Sequence, residues 1–159
     1  MKKPFICTFF GHRDFNEHYR YEGILEEILV DILRSNEYVQ FLVGRNGEFD
    51  RFVSSEIRNV VKNYGFKNCS HTLILPYVTA ELRDNEENFL KFYDDIEISE
   101  KAYFKSAIIQ RNREMTDRAD LVICYVEHNK CGGAYESVKY AEKMKKKIVN
   151  LFIIRNSEV

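Results

Sequence analysis

The stretch Arg111–Tyr140, RNREMTDRADLVICYVEHNKCGGAYESVKY, decides the fold. It reads as a charged helix, an apolar strand Leu121–Val126, a loop closing on Gly132-Gly133, and a second helix. The apolar run does not alternate and is too short for a buried helix, so it suits a strand covered on both faces. A glycine pair at a strand-to-helix turn leaves bare backbone N–H groups at the positive end of a helix, where an anion can be held. A tight turn with no ligand is the competing reading of the pair alone.

The same strand-then-helix order recurs along the chain. Phe5–Phe10 is a short apolar strand stopped by Gly11, and Ile24, Leu25, Ile28, Leu29, Ile32 and Leu33 follow at the spacing of one helical face, with Asn16 as its N-cap. Val39–Val43 is the next strand, closed by Gly44. A helix from Asp50 to Tyr64 ends at Gly65, which suits a left-handed residue. A third strand, Thr72–Leu75, stops at Pro76, and the last unit is helix Ala134–Lys146 followed by strand Ile148–Ile154. Lys143, Lys145, Lys146 and Lys147 crowd the negative end of that helix, as its dipole favours.

This alternation predicts one α/β domain over 1–159: Rossmann-like and doubly wound, with a mainly parallel five-strand sheet in the order 3-2-1-4-5 and helices on both faces. The acidic segment Thr79–Glu100 reads as a solvated excursion, with eight acidic residues against Arg83 and Lys91 and a short helix near Asn85–Phe92.

Composition narrows the partner less than the pattern does. With 24 Lys+Arg against 25 Asp+Glu in 159 residues, no global field calls for nucleic acid or a membrane, and a small molecule is the expected partner, with nucleic acid not expected. No apolar run approaches the roughly 20 residues that span a bilayer, and the start MKKPFICTFFGHR turns polar too soon for a secretory signal, so the expectation is cytoplasmic. Cys7, Cys69, Cys124 and Cys131 are scattered without a CxxC pair, and no metal or cofactor is expected.

In a doubly wound sheet the ligand sits at the carboxyl edge of the strands, where the winding reverses. The turns brought there are Gly11-His12-Arg13, Gly44 to Gly47, and Gly132-Gly133-Ala134, with Arg111 close to the start of the helix that leads into the fourth strand. Arg13 supplies a permanent cation and His12 an imidazole, although a capping histidine and a surface arginine are the plainer reading of that pair. Arg113 lies about 200° round the helix from Arg111 and belongs to solvent, and Arg118 lies away from the crevice. Glu136, in the first turn after the glycines, either complements the helix dipole or pairs with Arg111 across the site as a candidate acid or base. Asp50 reads as an N-cap. Asp94-Asp95 lacks a third metal ligand, and Cys131 with His128 lacks an orienting third group for thiol catalysis.

Taken together, Cys7–Arg13 (CTFFGHR), Val43–Asp50 (VGRNGEFD), Tyr93–Asp95, Arg111–Met115 (RNREM) and Cys131–Ala141 (CGGAYESVKYA) resemble the SLOG superfamily, which contains the Lonely Guy phosphoribohydrolases and the Smf/DprA proteins. The likeness is greatest to the YpsA-type branch. The resemblance implies binding of a nucleotide or nucleotide-derived ligand, such as an NAD- or ADP-ribose-like molecule, by a sensor or sequestering protein. It also implies a homodimer or higher homo-oligomer. Lonely Guy enzymes cleave the N-glycosidic bond of nucleoside 5′-monophosphates, and by that resemblance Arg111 and Glu136 are the catalytic pair in the alternative, enzymatic reading. Asn112 stands where the helix motif of those enzymes has lysine, and Ala134 where their glycine turn has threonine.

Overall fold

The computed structural model describes residues 2–99, 104–128 and 130–157. Glu100, the last residue of the acidic segment, and Asn129, in the loop before the glycine pair, lie outside them. Strand β1 (Phe5–Gly11) is followed by helix α1 (Glu22–Ser35), β2 (Val39–Val43), α2 (Glu48–Tyr64) and β3 (Cys69–Leu75). Then come α3 (Ala80–Asp84), α4 (Glu86–Phe92), β4 (Asp95–Ile98), α5 (Ala107–Arg118), β5 (Leu121–Tyr125), α6 (Gly133–Lys143), β6 (Lys147–Asn150) and α7 (Leu151–Ser157). All six strands are parallel, in the order β4-β3-β2-β1-β5-β6.

Successive side chains of a strand point to opposite faces, and both faces here are apolar. On one, Cys7 and Phe9 of β1 meet Leu121, Ile123 and Tyr125 of β5 beneath α1, α2 and α7. On the other, Ile6 and Phe10 meet Val122 and Cys124 beneath Met115 of α5 and Ala141 of α6. The sheet is therefore doubly wound, as expected from the non-alternating strands.

The sheet has six strands rather than five. The five expected strands keep their order, and the addition is β4, drawn from the acidic segment and paired with the edge of β3. Its DIEI alternation belongs to an edge strand with one exposed side, which explains why the charged text hides it. Arg118 holds it to α5 by donating to Glu97 at 2.7 Å. Asp94 and Asp95 serve this edge: Asp94 Oδ2 accepts the His71 N–H and Asp95 Oδ1 the Ile96 N–H.

Other boundaries differ from expectation too: β3 begins at Cys69 rather than Thr72, and α6 ends at Lys143 rather than Lys146. Asn16 does not cap α1, which begins at Glu22. The intervening loop is drawn inward by Phe15 and Tyr21, both buried against Tyr125. The last strand ends at Asn150 instead of running to Ile154, because the Asn150 side chain replaces the next ladder rung. Its Nδ2 donates to Val126 O and its Oδ1 accepts from Val126 N–H, while the same oxygen caps α7 by accepting the Phe152 N–H. Gly65 takes the left-handed conformation expected of it, with φ 71°.

His71 of β3 is buried under Tyr93 and Phe92, with Nε2 against Ser54 Oγ at 3.1 Å. Burial disfavours its imidazolium and pulls its pKa down to about 4 from 6.5. The neutral ring thus contributes stability that is fully present above pH 6.5 and is lost as pH falls toward about 4, at most about 3 kcal/mol. Urea midpoints at neutral and acid pH are expected to fall farther for the native chain than for His71→Phe; equal slopes contradict this assignment.

Candidate functional site

A crevice of about 290 Å³ opens at the carboxyl edge of the sheet. One wall is Gly11 to Asp14 after β1; the floor is Gly44, Asn46 and Asp50 around the β2–α2 turn. Ile108, Arg111, Asn112 and Met115 come from α5, and Lys130 to Ala134 close the far side. Of the residues expected from sequence, Gly11, His12, Arg13, Gly44, Arg111, Gly132, Gly133 and Ala134 are brought together here.

Two expected residues do not line it. Gly47 allows close approach of backbone, since a methyl group there would stand 2.6 Å from Arg13 Cα. At that contact Glu48 N–H donates to Arg13 O and Phe15 N–H to Glu48 Oε2, fastening the β1 loop to the start of α2. Glu136 is exposed and lies in an adjoining groove with Ile109, Arg113 and Tyr140. The side chain in the first turn of α6 that faces inward is Ser137, whose Oγ donates to Gly133 O and accepts from Asn112 Nδ2. A helical residue one position earlier points about 100° away.

The acid near Arg111 is Asp50. Arg111 is only 2% exposed, and its guanidinium is held by Nη1 on Ile74 O at 2.9 Å and Nε on Asn112 Oδ1 at 2.8 Å. Nη2 carries no hydrogen bond among the described residues. Burial lowers the pKa of this arginine, and Asp50 opposes that. Asp50 Oδ2 accepts the Asn46 N–H at 2.8 Å. Burial raises the carboxyl's pKa, while the Asn46 bond, Arg111 and Arg13 pull the other way. Asn112, the residue that stands in place of a lysine, thus aims Arg111 and ties α5 to α6. Its pattern signal was only adjacency to the arginine.

On the far side, Glu136 N–H to Gly132 O closes the first turn of α6. The amides of Gly133, Ala134 and Tyr135 therefore precede any intrahelical bond and stand at the positive end of the helix. Gly132 has φ 143°, a conformation that side chains disfavour, so glycine is required there. Arg13 and Lys130 are exposed cations at the rim. His12 is buried instead: its Nε2 accepts the Glu127 N–H at 3.0 Å, which binds the β1 loop to the end of β5 and keeps the ring neutral, as burial also favours. His12 lines the crevice and at the same time ties the β1 loop to the end of β5. His128 packs edge-on against Phe152 and makes no hydrogen bond to Cys131 among the described residues.

The arrangement of strands and helices is similar to that of a solved structure. DNA processing protein A from Helicobacter pylori, in a solved structure describing its single-stranded DNA binding mode, matches with a TM-score of 0.60 at 14% identity, over 91% of this chain and 64% of that one. This chain spans 64% of the length of that protein. No protein-family model matches the chain, and no curated protein matches it. The comparison corrects one expectation. A protein of similar fold binds single-stranded DNA, so the expectation that nucleic acid is not a partner does not stand. Among the described residues no helix is long and apolar enough to cross a membrane.

Proposed function

We propose that this chain binds a nucleotide-derived, phosphate-bearing ligand in the crevice at the carboxyl edge, as a sensor or sequestering protein. The observation that carries the reading is the pairing of two anion-seeking groups across one cleft: the first-turn amides of α6 behind Gly132, and the anchored Arg111, whose Nη2 has no hydrogen bond among the described residues. An open helix start holds phosphate without reorganising, and a fixed guanidinium across from it offers a ready donor to the oxygens of the group that the phosphate carries. The finer placement with YpsA-type proteins rests on the sequence landmarks, and is part of this proposal.

Binding is favoured over N-glycosidic hydrolysis by the place of Glu136. An acid that protonates a leaving base or stabilises the sugar cation must reach the ligand, and Glu136 is not in the crevice lining. Glu136→Gln is expected to leave ligand-linked stabilisation unchanged, and the native chain to release no free base. Both are read by incubating purified protein with nucleoside monophosphates and following melting beside chromatography. Base release that disappears in Glu136→Gln supports the hydrolase instead.

The panel for the main test contains nucleoside mono- and diphosphates, ADP-ribose, NAD and a short single-stranded oligonucleotide. The last is included because the fold relative binds single-stranded DNA. A ligand at a hundred times its Kd stabilises the folded state by about 2.7 kcal/mol, well within reach of a melting curve. No shift with any member contradicts the reading.

A further inference from the structure

Gly44 ends β2 without a side chain, and a methyl group built there would stand 3.0 Å from Asp50 Oδ2 and 3.2 Å from Arg111 Nη1. A carboxylate and a guanidinium therefore both press on Gly44, and both line the crevice floor. Among the described residues no ion pair joins them, and neither Asp50 Oδ1 nor Arg111 Nη2 has a hydrogen-bond partner. Arg111 is buried and its other nitrogens are taken, so its free edge is fixed in place.

A group seated between these two must donate to the carboxylate and accept from the guanidinium. A phosphate oxygen is repelled by Asp50, and the α6 amides on the opposite wall suit it better. A hydroxyl does both at once. We infer that the floor between Asp50 and Arg111 takes a sugar hydroxyl of the ligand, so that the bound unit is a ribose phosphate with its phosphate toward Gly132–Ala134 and a ring hydroxyl on Asp50. The volume, about 290 Å³, agrees: it stands at the small end of the roughly 300–1,000 Å³ of ligand pockets and holds one sugar phosphate unit rather than a dinucleotide. This deepens the nucleotide reading and rests on it. It also turns that reading away from whole NAD and toward a mononucleotide or the terminal nucleotide of a strand.

The test compares the four ribonucleoside 5′-monophosphates with their 2′,3′-dideoxy forms by titration calorimetry, on the native chain and on Asp50→Asn, with inorganic phosphate as competitor. Asparagine keeps an acceptor for the Asn46 N–H, and the native comparison stands even where the variant folds poorly. In the native chain, loss of the hydroxyls is expected to weaken binding roughly tenfold or more, the effect of one lost hydrogen bond to a charged group. Asp50→Asn is expected to narrow that gap while inorganic phosphate still competes. Equal affinity for ribo and dideoxy forms in the native chain overturns the hydroxyl assignment and leaves the phosphate site standing. An undiminished gap in Asp50→Asn overturns the role of Asp50. Binding of none of the probes overturns this inference together with the nucleotide reading.

Discussion

Arg111→Ala is expected to remove ligand-linked stabilisation altogether and to lower the stability of the free protein by about 3 kcal/mol, in the range for breaking a buried charged network. The guanidinium serves several parts of the site at once. It satisfies Ile74 O and Asn112 Oδ1, offsets the half-buried Asp50, and fills the crevice floor beside Gly44. Its loss leaves two acceptors and a carboxylate in low-dielectric surroundings, and the Asp50 carboxyl is then expected to titrate still higher. Thermal melts of native and variant protein, each with and without the best member of the nucleotide panel, separate the two effects. The free variant melts lower, and its ligand-dependent shift vanishes. A folded Arg111→Ala protein that keeps the full ligand shift contradicts the role given to this residue.

The other large effect is expected at Gly11, where β1 ends against α2. A methyl group there would stand 2.1 Å from Phe49 Cγ and 2.2 Å from its Cδ1. Phe49 has nowhere to go: it is fully buried, with ring centroids of Phe15 at 5.4 Å and of Phe52 and Tyr125 at 6.2 Å. Gly11→Ala is therefore expected to cost about 3 kcal/mol, the upper part of the range for overpacking a filled core. Phe49→Ala costs about 3–5 kcal/mol on its own. Because the two changes act on one space, the double variant is expected to lose less than the sum, by about 1 kcal/mol or more. Denaturant curves of the four proteins give the cycle; strict additivity contradicts the contact as the cause.

How much of this was legible in the sequence varies with the kind of signal. The strand-to-helix turns carrying Gly11, Gly44 and Gly132-Gly133 could be read because a doubly wound sheet sends every such turn to one edge, whatever the details of packing. Strand β4 could not, since DIEI at a sheet edge looks the same as a solvated acidic run until its partner β3 is known. The end of the last strand was hidden for another reason. LFII resumes the apolar text of Ile148-Val149 after the single Asn150, and only that side chain, doubly bonded to Val126, turns it into α7.

In the site, Arg111 was legible from the direction of its helix, because a helix leading into a parallel strand starts at the carboxyl edge. Its acidic neighbour was misread. Glu136 was placed by its position in a motif, whereas the crevice carboxylate comes from Asp50, which a sequence reader assigns to capping. Asp50 is not the N-cap, which is Gly47: it stands inside the first turn of α2, where one oxygen accepts the Asn46 N–H and the other is left for the crevice. The exclusion of nucleic acid failed because net charge describes the whole surface, and a single cleft with Arg13, Lys130 and Arg111 needs no overall positive charge.

The central claim, that the crevice is a phosphate site built on the start of α6, is tested most directly by titrating nucleoside 5′-monophosphates into ¹⁵N-labelled protein and following backbone amides. The account predicts the largest shifts at Gly133, Ala134 and Tyr135, followed by Gly11 to Arg13. Shifts confined to the lysines at 143–147, or none at the α6 start while the ligand binds, contradict it.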